Sequence, residues 1–178
     1  MKKKVRLFPL VLAVLLLFAS CRAPSPARYF FYREQDFSAE LCGTLRGISF
    51  CARAAVRREG DSYRVSLVFS EGPKETASPL ADLAVQAEIS SDGVPRGNCE
   101  WTCLGVTVPT EASCLAGLLL PITELLTPRE MSSVLKTEEG YRLRFADGSE
   151  WVLDENLRPR EVCAAETVFS VLWWEMRF

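Results

Sequence analysis

The chain has 178 residues, with 21 Lys and Arg against 23 Asp and Glu, seven Cys and no His. This length corresponds to about one domain, and a slightly acidic chain without a long basic run in its body argues against nucleic acid as a partner. Without His, the commonest general base and metal ligand is excluded.

The first 20 residues have the layout of an export signal. A basic start is followed by an unbroken apolar run over residues 7–18, by the small residues Ala19 and Ser20, and then by Cys21. The run is short for a membrane span. The ending resembles the bacterial lipoprotein signal, which implies a diacylglyceryl thioether (palmitate-bearing) on Cys21 and removal of residues 1–20. The alternatives are an uncleaved anchor or an ordinary signal with an incidental cysteine.

Cleavage before Cys21 would leave 17 basic and 23 acidic residues, a formal net charge of −6. Two acyl chains hold a protein at a bilayer, whereas one chain binds only marginally. We therefore expect a lipid-anchored protein on the extracytoplasmic side of the cell membrane. Its partners would be the membrane, through the lipid on Cys21, and a lipid or a protein, with no nucleic acid and no metal.

Residues 21–36 are predicted to form a lipidated tether and an aromatic lead-in to a single β-rich domain over residues 37–178. Residues 22–28 contain two Pro and no core residue, so they are predicted to be extended. The aromatic cluster Tyr29–Tyr32 either docks on the core or lies at the membrane interface. Docking is favoured because exposed aromatic clusters are uncommon.

A β-hairpin is predicted over residues 37–58, where apolar and polar residues alternate on both sides of Arg46–Gly47. A two-residue turn there places the apolar residues of both strands on one face. The same register puts Cys42 opposite Cys51 in a non-hydrogen-bonded pair, which has the closest Cα atoms. A Cys42–Cys51 disulfide is therefore predicted.

Further strands are predicted by period-two alternation over residues 63–69 and 83–89, with a turn over 91–98 and a less regular strand over 100–108. A loop over residues 71–79 is indicated by its Pro and Gly.

Two helices are predicted in the middle of the chain. The first begins at Thr110 and runs to about Leu126, and Pro121 should kink or interrupt it. The second begins with Thr127, has Pro at its first position and Glu at its third, and ends near Lys136. Both should cover one face of the sheet.

The last third of the chain is predicted to return to strands. A hairpin over residues 141–153 has a three-residue turn with Gly148 left-handed, because only that register puts Leu143 opposite Trp151 on the apolar face. Residues 162–176 form a strand or strand pair in which Trp173 and Trp174 point to opposite faces.

The cysteines and short motifs give little support to catalysis or metal binding. Apart from Cys21, six thiols allow up to three bridges, or several are small buried residues. Cys99 and Cys103 have the spacing of half a zinc site, but no second pair completes it. Ser133 and Lys136 match Ser-x-x-Lys on a predicted helix without its companion motifs. We therefore predict no catalytic residue, no cofactor and no metal site.

A resemblance to a known family follows from the order of elements. The lipoprotein signal, strand hairpins and a Leu-rich helix precede Tyr-Arg-Leu-Arg-Phe, Asp-Gly, Trp-Val-Leu-Asp and Leu-Arg-Pro-Arg-Glu-Val in residues 141–162. This order resembles small bacterial lipoproteins related to the lipoprotein-carrier (LolA/LolB-like) superfamily. The resemblance implies an α+β fold, with a curved antiparallel half-barrel sheet and one or two helices on its concave face.

The function expected from this resemblance is a non-catalytic binding or carrier-like module for an apolar ligand or lipid. The alternative is a structural or protein-interaction lipoprotein whose core is filled by its own side chains, which is the usual state of protein interiors. An exported enzyme lacks any catalytic constellation. The residues predicted to face an apolar ligand, or to form the core instead, are Phe50, Leu67, Phe69, Leu118, Leu119 and Ile122.

Overall fold

The computed structural model describes residues 26–71 and 78–177, which form one antiparallel sheet of 11 strands with short helical segments. The spatial order is β6-β5-β4-β3-β2-β1-β11-β10-β9-β8-β7, so the first and last strands pair at the centre and β6 and β7 form the two edges. The strands are β1 (Asp36–Leu45), β2 (Ile48–Glu59), β3 (Ser62–Ser70), β4 (Leu83–Ser90), β5 (Pro95–Cys103), β6 (Val106–Glu111), β7 (Met131–Thr137), β8 (Gly140–Phe145), β9 (Glu150–Leu153), β10 (Pro159–Cys163) and β11 (Thr167–Arg177).

Helical structure is confined to three short segments of the described chain. A 3-10 segment, Pro26–Glu34, precedes the sheet, and a 3-10 turn, Ala112–Leu115, leads into the α-helix α1, Ala116–Leu126. The fold is thus mostly antiparallel sheet with a small helical part, in agreement with the predicted α+β class.

The first hairpin has the predicted register. Leu45 pairs with Ile48, and Cys42 pairs with Cys51. Arg46 has φ 49° and Gly47 has φ 82°, the positive values that a tight hairpin turn with right-handed strand twist requires. The apolar residues on the inner face of both strands are buried except Ile48, which lies beside the turn and is exposed.

The second hairpin also has the predicted register. Leu143 pairs with Trp151, Tyr141 pairs with Leu153, and Gly148 has φ 85°. This register puts Leu143, Trp151 and Leu153 on the buried face, each with 0% exposure. The three-residue turn is therefore the one that buries the apolar residues on one face, as predicted from the sequence.

The core is one cluster formed by the apolar face of the strands, by α1 and by the aromatic lead-in. Tyr29, Phe30 and Tyr32 are buried, so the docking prediction is confirmed. Residues 26–28, predicted to be extended, belong instead to the first turn of the 3-10 segment. The docked aromatic residues hold this turn close to the sheet.

The prediction of a single strand over residues 100–108 is wrong. The structure has a hairpin there, in which β5 begins at Pro95 and β6 follows the two-residue turn Leu104–Gly105. The turn predicted over 91–98 is correspondingly shorter. Leu104 has φ 50°, which a leucine seldom adopts, so Gly105 is the only usual turn residue at this position.

The predicted start of the first helix is also wrong, whereas its predicted end at Leu126 is confirmed. Thr110 lies in β6, and the α-helix begins at Ala116 and continues through Pro121. The second predicted helix, from Thr127 to Lys136, is absent because residues 131–137 form β7. Thr127 has the extended backbone of a helix end, and β7 pairs with β8. Pairing along β8 therefore overrides a local capping pattern.

Candidate functional site

The predicted lipidation site, Cys21, and the signal over residues 1–20 lie outside the described residues. In the part of the chain that the structure describes, no helix has the length and apolar character needed to cross a bilayer. The membrane attachment therefore stays a prediction from the sequence.

The six residues predicted to face an apolar ligand lie in the core. Leu67, Leu119 and Ile122 have 0% exposure, Phe69 has 1% and Phe50 has 2%. Leu118 is half-buried and packs against the same cluster. Leu67, Leu119 and Ile122 therefore border no space large enough for a water molecule.

A disulfide joins Cys42 and Cys51 on the face of the sheet opposite the core. Their Cα atoms lie 4.1 Å apart, as in a non-hydrogen-bonded antiparallel pair. The bridge lies across the β1–β2 hairpin beside the central β1–β11 pair, and Cys51 is 4% exposed.

The other motifs do not come together into a reactive site. Cys99 and Cys103 are both on β5 and not in a disulfide, and burial raises the pKa of the Cys99 thiol. Ser133 and Lys136 lie on strand β7, not on a helix, and three residues apart on a strand they point to opposite faces. Within residues 26–71 and 78–177, no three Cys, Asp or Glu side chains form a group that could hold a metal ion.

The aromatic lead-in caps the end of α1. The Tyr32 hydroxyl and the Arg33 Nε both donate to the carbonyl oxygen of Leu125, each at 2.9 Å, and Arg33 Nη2 donates to the carbonyl of Thr127 at 2.7 Å. The guanidinium also lies 4.2 Å from the ring centre of Phe30. Carbonyls at a helix C-terminus lack partners within the helix and attract a positive charge. Tyr32 and Arg33, which we call the clamp, supply the missing hydrogen bonds, and Arg33 also supplies the positive charge.

The Tyr32 phenol is fully buried within this clamp. Burial raises its pKa to about 12, against the opposing effect of Arg33. The clamp fixes the segment nearest to the predicted lipid attachment directly on α1.

A second polar cluster joins α1 to the turn between β8 and β9. Arg129 forms ion pairs with Glu124 and Asp147, and it donates to the Ser149 hydroxyl at 3.0 Å. Ser149 in turn donates to Asp147 through its backbone N–H and its hydroxyl. These residues line a hollow of about 250 Å³ whose opposite wall includes Glu166.

The charges in this cluster affect each other. Burial raises the pKa of Glu124, and the facing Arg129 guanidinium opposes that rise. Burial also acts to raise the pKa of Asp147, but hydrogen bonds from Ser149 and the charge of Arg129 outweigh it and lower that pKa. Because Arg129 pairs with both carboxylates, the cluster ties α1 to the turn between β8 and β9.

The outer face of the sheet carries an exposed aromatic surface on β11. Between β1 and β11 the register shifts, so that Glu40 pairs with Trp173 and Leu41 pairs with Val171. The extra residue, Leu172, is 57% exposed, and Trp173 is 44% exposed. The bulge thus presents two large apolar residues side by side to solvent.

Trp173 borders a hollow of about 490 Å³, together with Ser38, Glu40 and Arg53. Arg53 and Glu40 lie 3.9 Å apart as an exposed pair. Trp174 points to the core, where its ring stacks on Phe37 at 4.6 Å, so the prediction that the two tryptophans face opposite ways is confirmed. Trp and Arg on one exposed surface are typical of protein contact sites.

No family model matches the chain, and no curated protein matches it. The assignment of a function therefore rests on the sequence pattern and on the geometry above.

The sequence predicted that Trp173 and Trp174 point to opposite faces without deciding which is outward, and it missed the clamp and the Arg129 cluster. Arg129 meets partners 18 and 20 residues further along the chain, and Arg33 meets carbonyls more than 90 residues away. These contacts depend on the final strand order and leave no local pattern.

Proposed function

We propose that this chain is a membrane-anchored, exported lipoprotein that acts by non-catalytic contact with another protein. The observation that carries the proposal is the filled core, where the candidate ligand-facing residues Leu67, Leu119 and Ile122 have 0% exposure. Because the interior is filled, the contact with another protein is assigned to the outer face of the sheet. The exposed pair Leu172 and Trp173 is the proposed contact site on that face.

We also propose that the sheet is curved and that α1 covers its concave face. The helix contacts β1 and β11 at the centre and also β5, which is four strands from β1. On a flat sheet that separation would be about 19 Å, and bending shortens it. The burial of Leu119, Ile122 and Leu125 supports the same arrangement.

A carrier for an apolar ligand is the second candidate, and the strand order favours it. An open sheet with one continuous apolar face and a single helix upon it would become a ligand cleft if α1 moved away. This candidate shares the lipid anchor and the membrane location with the first.

Native mass spectrometry of the mature protein, purified from the cells that produce it, separates the two candidates. We expect the mass of the chain with its anchor and nothing else. A stoichiometric lipid in addition to the anchor would contradict the filled-core proposal and support the carrier.

The anchor and the contact surface need separate tests. Labelled palmitate should incorporate into the wild-type protein and into Cys163→Ala, but not into Cys21→Ala. A photo-crosslinking residue in place of Trp173 should capture a discrete partner, whereas one in place of Arg57, which is also exposed, should not. Equal capture at both positions would contradict the assigned surface.

A further inference from the structure

The two edges of the sheet differ in what they offer to another strand. Among the described residues, β6 pairs with β5 alone and β7 with β8 alone. Such an edge presents unpaired backbone N–H and C=O groups that can pair with a further strand, unless the sequence blocks it.

The β6 edge is blocked by a proline. Cys103 and Val106 pair beside a two-residue turn, so they exchange both hydrogen bonds and the pairs then alternate outward from the turn. Thr107 and Pro109 therefore direct their backbone groups away from β5. Pro109 has no N–H to donate there, which prevents regular pairing along this edge.

The β7 edge is open by the same reasoning. Thr137 and Gly140 pair beside a two-residue turn, so Val134 and Lys136 direct their N–H and C=O groups away from β8. No proline lies in β7. Val134 is 37% exposed and Leu135 is 62% exposed, which gives the edge an apolar centre.

Exposed acidic residues bracket the open edge. Glu130 directly precedes β7, and Glu138 and Glu139 directly follow it. A second copy paired antiparallel about Val134 would bring Glu138 close to its copy's Glu130 at both ends, where the register of β7 shifts between Met131 and Ser133. Like charges directly opposite each other destabilise strand pairs, so these acidic residues oppose self-association. The same residues attract a strand with positive ends.

We propose that β7 receives an extended strand of a partner protein, apolar at alternate positions in its centre and basic at both ends. The assignment adds a second contact site to the proposed interaction function, because β7 lies four strands away from Leu172 and Trp173 on β11. The partner strand would hydrogen-bond to Val134 and Lys136 and would place its basic ends beside Glu130 and the Glu138–Glu139 pair.

The probe is a labelled peptide of alternating Val and Thr with Lys at each end, and its binding is measured by fluorescence anisotropy. Val134→Pro removes the outward N–H without removing a bond to β8, and it should weaken binding by about tenfold or more. Thr107→Pro makes the matched change on β6 and should leave the Kd within about twofold. Unchanged near-UV circular dichroism would show that each variant is folded.

A second variant does not depend on proline. Replacing Glu138 and Glu139 by Lys should reverse the preference, so that a peptide with Glu ends binds more tightly than one with Lys ends. This reversal should weaken as salt is raised. The variant changes only exposed side chains beyond the end of β7.

Each other outcome overturns the assignment. Failure of the wild-type protein to bind the peptide, or equal loss with Thr107→Pro, would refute β7 as the receptor. In sedimentation velocity, a wild-type dimer that Val134→Pro dissolves would identify a second copy as the occupant instead. These results are independent of the native mass and palmitate tests, so the proposed function and this site can fail separately.

Discussion

Replacing Tyr32 by Phe removes one of the two hydrogen bonds to the Leu125 carbonyl at the end of α1. Arg33 still donates to the same oxygen, so no buried carbonyl loses all its partners. We therefore expect the free energy of unfolding near neutral pH to fall by only about 1 kcal/mol.

The deficit of Tyr32→Phe should disappear at alkaline pH. The Tyr32 phenol has a pKa of about 12 in the folded chain, against 10.0 for an unperturbed tyrosine. Between these values the unfolded chain releases a proton that the folded chain retains, so stability falls as pH rises. The full loss is about 2.7 kcal/mol, and half of it is reached by about pH 11. Phe has no such proton, so Tyr32→Phe should match the wild type there.

Urea unfolding of both proteins, followed at about pH 7 and about pH 11, measures this convergence. Val65→Ala is the control, because it removes buried packing and no titratable group. Its deficit should be the same at both pH values. A Tyr32→Phe deficit of the same size at both pH values would refute the assigned role of the phenol.

Three further predictions concern packing, the disulfide and the buried ion pair. Gly43→Ala should lower the free energy of unfolding in urea by more than about 3 kcal/mol, because its Cβ would lie 2.0 Å from a backbone oxygen of β11. Gly117→Ala on α1 is the control and should be neutral or stabilising. Equal effects of the two variants would contradict this packing. Thiol titration of the denatured, unreduced protein should find Cys42 and Cys51 oxidised, and free thiols at both positions would rule out the bridge. Replacing both by Ser should lower the free energy of unfolding by at most about 2.7 kcal/mol. Arg129→Met should lower the free energy of unfolding by about 3 kcal/mol at neutral pH, because it leaves the buried Glu124 carboxylate without its partner. This loss should shrink as acid protonates Glu124, whose pKa is raised by burial. A loss independent of pH would argue against the ion pair.

The hairpins could be predicted because burial of one face constrains the register. Alternation on both sides of Arg46–Gly47 allowed one pairing that buried the apolar residues, and the structure has it. The same argument chose the turn that pairs Leu143 with Trp151. In both cases the deciding residues lie within a single hairpin.

The middle of the chain could not be predicted in this way. Thr127-Pro128-Arg129-Glu130 has a good helix start in isolation, yet Thr127 ends α1 and its hydroxyl donates to the Thr123 carbonyl. Residues 131–137 become a strand because β8 offers an edge, and Arg129 is drawn to partners in a later turn. The competing interactions come from residues that follow in the chain, so no local pattern contains them.

The pairing of β1 with β11 has a consequence for how the protein is made. The central seam of the sheet joins residues 36–45 to residues 167–177, so the sheet cannot close until both segments are present. A contact between such distant residues carries a high loop-closure cost and folds slowly. If the chain is exported as we propose, this slow closure would keep it loose enough to pass through a translocation pore before the sheet forms.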